Sequence, residues 1–147
     1  MKQNRHILLH SANDNSEILI DAQLIIGAIK GCGYFGDFTH NMASAYTNII
    51  VDTADKMDNF IVNESPDKVY NALKSLGFDE FGFIMLHDYQ SNSSLVLNTN
   101  YIDTVYKDED DEVTTININE NDVSMSRLRV NESVGKVYNA IMKLVEN

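Results

Sequence analysis

The 147-residue chain has little of what usually announces chemistry. A single cysteine, Cys32, excludes an intramolecular disulfide and any multi-cysteine zinc site. One proline and seven glycines exclude collagen-like and linker-rich architectures. Cations are scarce: 11 Lys and Arg stand against 22 Asp and Glu, a net charge of −11, which argues against non-specific binding to nucleic acid or an anionic membrane. Long apolar runs are missing too. Ile7-Leu8-Leu9 and residues 24–29 are far shorter than a secretory core or a bilayer span. The expectation is a protein that stays where it is made, cytoplasmic or virion-associated and not secreted, and an unpaired thiol agrees with a reducing compartment. What is present, 44% hydrophobic and 22% charged residues, is the composition of a globular domain.

The strongest positive signal is internal repetition. Residues 62–72 read Val-Asn-Glu-Ser-Pro-Asp-Lys-Val-Tyr-Asn-Ala, and residues 130–140 read Val-Asn-Glu-Ser-Val-Gly-Lys-Val-Tyr-Asn-Ala, nine of eleven positions being identical. Upstream, Ile7-Leu8-Leu9-His10 corresponds to Ile84-Met85-Leu86-His87, Ile18-Leu19-Ile20-Asp21 to Leu95-Val96-Leu97-Asn98, and Ile25 to Ile102. The spacing between matches shortens from 77 to 68, which places an insertion at residues 31–45 of the first copy. Two tandem units follow, residues 1–77 and 78–147.

Each unit reads as about five short antiparallel strands and then a helix. Strands are expected at residues 6–11, 17–21, 24–29, 47–52 and 58–62, and again at 82–88, 94–98, 101–106, 113–119 and 123–130, from β-rich runs and period-two alternation. Asn13-Asp14-Asn15 and Gln90-Ser91-Asn92 supply turns. Ser65 and Ser133 are natural N-caps, Pro66 suits the first helical position, and Val69, Leu73 and Leu76, like Val137, Ile141 and Leu144, form apolar stripes. The expected fold is α+β: two β-rich units, each closed by a C-terminal helix covering its own small sheet, packed together with internal pseudo-symmetry because a unit of about 70 residues has a thin core.

Each copy resembles the short β-rich proteins of the flagellar-operon FlbD type. The closing motif Val-x-Glu-Ser-x-x-x-Val is met by Val62, Glu64, Ser65 and Val69 and again by Val130, Glu132, Ser133 and Val137. A middle motif, Asn followed by Ile four residues on, is met by Asn98 and Ile102, with Asp21 replacing the Asn before Ile25. The duplication, the insertion and the acidity are not part of that pattern. The resemblance implies a small non-catalytic module that works through its surfaces.

Candidate chemistry is sparse. The insertion contains Gly31, Gly33 and Gly36 with Tyr34, Phe35 and Phe38, so residues 31–42 are either a binding loop with aromatic anchors, joined by His40, or a plug over the open end of the sheet. No phosphate-cradling glycine pattern is present. Cys32 and His40 would need to meet to act as nucleophile and base, and no local signature brings them together. His10 and His87 hold equivalent places and either approach each other to bind a metal or cap turns. Glu64 and Glu132 precede helix starts, where the helix dipole favours a carboxylate.

The acidic run Asp108-Glu109-Asp110-Asp111-Glu112 is either solvated or a contact for a basic partner. The second unit is the more acidic, with 13 acidic and 5 basic groups against 9 and 6 in the first. The expected function is a non-enzymatic binding or assembly module of bacterial or phage type, without cofactor or metal. It would work by protein contacts or self-association at a sheet edge, or through Tyr34, Phe35, Phe38 and His40. One alternative is an acidic inhibitor of a nucleic-acid-processing partner, using Asp108, Glu109, Asp110 and Asp111. The other is a small-molecule-binding protein or small enzyme using residues 31–42.

Overall fold

A computed structural model describes residues 5–30, 46–53, 57–76, 82–109, 112–118 and 126–146. Strands β1 (His6–His10) and β2 (Glu17–Asp21) form a hairpin, followed by a single 3-10 turn at Ala22–Leu24 and by β3 (Ile25–Lys30), β4 (Thr47–Asp52) and β5 (Met57–Val62). Helix α1 (Pro66–Ser75) comes next. The order then recurs: β6 (Phe83–His87), β7 (Ser94–Asn98), a 3-10 turn at Thr99–Tyr101, β8 (Ile102–Lys107), β9 (Thr114–Ile118), β10 (Ser126–Val130) and α2 (Val134–Glu146).

The strands make three antiparallel sheets: β1-β2, β5-β4-β3-β7-β6 and β10-β9-β8. This overturns the expected pair of units, each with its own sheet closed by a C-terminal helix. Among the described residues the protein is mostly β, the helix Pro66–Ser75 lies mid-chain, and the largest sheet takes three strands from before α1 and two from after it. Helix α1 does not simply cover its own sheet, because it packs on β7 and β6 as well as on β3. The physical reason is burial. Strands β3 and β7 carry apolar side chains on both faces, and in the joined sheet one face is covered by the β1–β2 hairpin and α1 and the other by β9, β10 and α2, so both leave water.

One face of the five-stranded sheet, with Ile25, Ala28, Ile49, Phe83 and Val96, packs on Ile7, Leu9 and Ile20 of the hairpin and on Val69 and Leu73 of α1. The other, with Ile26, Ile29, Ile50, Ile84, Leu86 and Leu95, packs on Ile116 and Ile118 of β9, Leu128 and Val130 of β10 and Val137 of α2. A bulge between Ile25 and Gly27 changes which face successive residues of β3 address, so Ile25 and Ala28 go to one cluster and Ile26 and Ile29 to the other.

Gly27 is needed where β3 meets β7. A Cβ there would lie 2.6 Å from the carbonyl oxygen of Val96 and 3.3 Å from Cδ2 of Leu97. The matching residue of β8, Thr104, follows the same bulge, but β8 is an edge strand with no neighbour on that side among the described residues. A second tie across the join is Tyr101, beside Asp52 of β4. Burial raises its phenol above the ordinary value, and the Asp52 carboxylate adds to the shift.

Substitution Gly27→Ala is expected to lower stability by about 1–3 kcal/mol through overpacking against the β7 backbone. Urea denaturation measures it, and alanine at Thr104 is expected to cost less.

Candidate functional site

The repeated Val-Asn-Glu-Ser segment has a distinct task at every position. Val62 and Val130 are buried in the two clusters. The Asn63 amide donates to Asn15 Oδ1 (2.8 Å) at the tip of the β1–β2 hairpin, and Asn131 donates to Asn92 Oδ1 (2.6 Å) in the β6–β7 tip. Asn15 and Asn92 have φ of 62° and 59°, the left-handed region that asparagine tolerates better than most residues. Ser65 Oγ accepts from Lys68 N and Ser133 Oγ from Lys136 N, both at 3.2 Å, capping α1 and α2.

The glutamates hold the histidines. Glu64 accepts from the His10 backbone N–H (3.0 Å) and lies 2.6 Å from its ring Nδ1, and Glu132 has the same distances to His87. Desolvation pushes the Glu64 carboxyl up, but hydrogen bonds from the His10 side chain and backbone, from its own backbone N–H, and the charge of His10 outweigh it and hold it below its ordinary value of 4.5. The two imidazoles are thus each engaged by a glutamate, not by each other. Among the described residues no three His, Cys, Asp or Glu side chains converge as a metal would require. The carboxylates, read from the sequence as helix-dipole partners, are the clamps that seat the hairpin on the strand–helix junction.

Tyr34, Phe35, Phe38 and His40, with Cys32, lie outside the described residues, as do Asp110 and Asp111. Asp108 is partly buried, its backbone N–H donates to the Val113 carbonyl (2.9 Å), and its carboxylate lies 3.9 Å from the Arg129 guanidinium. Arg129 in turn stacks over the Tyr89 ring at 5.8 Å. Glu109 is exposed. Glu112 bridges to Lys107 at 3.7 Å, both side chains being largely solvated, so part of this acidic run is balanced locally.

The structure adds a surface that the sequence reading missed. On the β1–β2 hairpin, Leu19 is 68% exposed and Leu8 46% exposed, whereas Val96, the counterpart of Leu19, is fully buried in the five-stranded sheet. At the other end of the molecule Tyr138 of α2 is 60% exposed, while its counterpart Tyr70 of α1 is partly buried against the cluster that holds Val96. The faces that the join between β3 and β7 covers inside the chain are open at its two ends. A signal was available: Leu19 is as apolar as Val96, on a strand whose other residues alternate.

No family model, curated protein or solved structure matches the chain. No described helix is long and apolar enough to cross a membrane.

The Glu64 clamp has a definite pH signature. A carboxyl held below its ordinary value stabilises the fold above that value, and the stabilisation is lost as pH falls through the lower folded value. Glu64→Gln is therefore expected to cost about 1–3 kcal/mol at neutral pH, the worth of hydrogen bonds to a charged group. In urea denaturation series the difference from the unsubstituted protein should shrink as the pH is taken below 4.5.

Proposed function

We propose that the chain is a non-enzymatic binding module that lays its β1–β2 hairpin along an exposed strand of a partner protein. What supports the reading is a docking of the same kind within the molecule. The hairpin β6–β7 adds to the edge of β3 through the pairs Gly27 with Leu97, Ala28 with Val96 and Ile29 with Leu95, and α1 packs over it. The hairpin β1–β2 is its counterpart, with the same turn geometry and the same Glu–His clamp, and among the described residues no strand pairs with the outer edge of β2. Strand addition draws affinity from main-chain hydrogen bonds and selectivity from alternate side chains, here led by Leu19. A partner suited to it presents a strand edge beside an apolar helix or sheet face, as β3 and α1 do.

Leu19 is the anchor to test. Leu19→Asp is expected to leave the circular dichroism spectrum and melting behaviour nearly unchanged, because the residue is largely solvated. It is expected to weaken capture of a protein partner from the source cells by at least about thirtyfold, as loss of a hot-spot residue does. A partner held equally well by Leu19→Asp, but lost by charge reversal at Asp108 and Glu109, would move the site to the acidic run instead.

A further inference from the structure

We propose that the free edge of β8 is built to refuse a second copy of this chain, through Asp103, Thr104 and Asn117. The comparison that carries this is between β8 and β3. Both strands are bulged at the same point, Ile25/Gly27 and Ile102/Thr104, and the residue after each bulge pairs with equivalent partners, Gly27 with Ile50 and Thr104 with Asn117. Strand β2 likewise matches β7, each ending in a side chain that caps the following 3-10 turn, Asp21 on Gln23 N–H and Asn98 on Asn100 N–H. A second copy could therefore try to set its β2 on β8 as β7 is set on β3. That contact is heterologous, and repeating it would string copies head to tail.

Four side chains oppose this step. Thr104 stands where a Cβ on Gly27 would lie 2.6 Å from a carbonyl oxygen of the incoming strand, an atom that cannot swing aside. Asp103 takes the place of Ile26, which is 1% exposed in the join, so docking would bury a carboxylate where the precedent buries a methyl-rich side chain. Asn117 takes the place of the fully buried Ile50. On the incoming hairpin, Asp21 replaces Asn98, whose amide donates to the Ile25 carbonyl across the join (3.0 Å), and an ionised carboxylate has no proton to donate.

Asp103, Thr104 and Asp21 are satisfied as they stand, and Asn117 in part, its side-chain oxygen being buried without a hydrogen-bond partner among the described residues. Asp103 is exposed, Asn117 donates to Thr104 Oγ1 (2.8 Å), and Asp21 pairs with Arg5 (2.8 Å). Polar side chains on an edge strand are a common guard against edge-to-edge addition, and a polar outer face ends a repeat array. The inference rests on the proposed docking only for the identity of the donor hairpin, and its test needs no partner protein.

The test is light scattering across a wide concentration range. The unsubstituted chain is expected to keep the mass of one copy. The variant Asp21→Asn/Asp103→Ile/Thr104→Gly/Asn117→Ile restores the residues of the internal join and is expected to form multiples of the chain mass that grow with concentration. Adding Leu19→Asp should return it to a single copy with an unchanged circular dichroism spectrum, identifying the hairpin as the donor and the variant as folded. Should the four changes prevent folding, Thr104→Gly with Asp103→Asn is the milder form and is expected to give a weak, concentration-dependent dimer. Three results would overturn the proposal: assembly of the unsubstituted chain that Leu19→Asp abolishes, a folded four-residue variant that stays single, or assembly that survives Leu19→Asp.

Discussion

The arrangement depends on a carboxylate that reaches back across the fold. Glu64 joins the end of β1, through both the backbone and the ring of His10, to the junction between β5 and α1, and Glu132 does the same for β6, β10 and α2. Neighbouring residues complete the attachment, with asparagine holding the hairpin tip and serine capping the helix. A two-stranded hairpin is marginal in water without a surface to rest on. These clamps fix where each hairpin rests, and the side chains they involve are partly sheltered from solvent, so the charge-assisted bonds keep more of their strength than surface ion pairs would.

With each hairpin seated, the outer edge of the second one becomes a docking strand for β3. The five-stranded sheet that results is buried on both faces, which a small β-rich unit alone could not achieve. The same geometry makes the two ends of the molecule unequal. One end presents Leu8 and Leu19 on a hairpin whose β2 edge pairs with no strand among the described residues, and the other presents β8 with polar residues where its counterpart has isoleucines and a glycine. On the proposed reading, the open face at one end and the guarded edge at the other belong to a protein that binds a different chain and does not polymerise.

Much of the local structure was legible from residues alone. The Ser65–Pro66 start and the stripe of Val69 and Leu73 marked α1, the turn residues marked both hairpin tips, and the alternation of Ile116 and Ile118 with polar Thr115 and Asn117 marked β9, although Thr115 proved buried rather than wet. The sheet assignment was not legible. Nothing local in β3 distinguishes pairing with β2 from pairing with β7, because hydrogen-bonding edges are alike and the choice is made by which union buries more apolar surface. The clamps were misread for a related reason. A glutamate before a helix suggests a dipole partner, and only the folded chain brings it to a histidine 54 residues away in sequence.

The sequence by itself determined the repeated elements, their order and their caps, since these follow from side-chain period, turn chemistry and short-range hydrogen bonding. The tertiary structure alone decided that strands from both halves share one sheet, that Gly27 must be bare of a side chain, and that Leu19 faces water while Val96 does not. The reason is that equivalent residues in a repeat share their neighbours along the chain but not their neighbours in space, and burial is set by the latter.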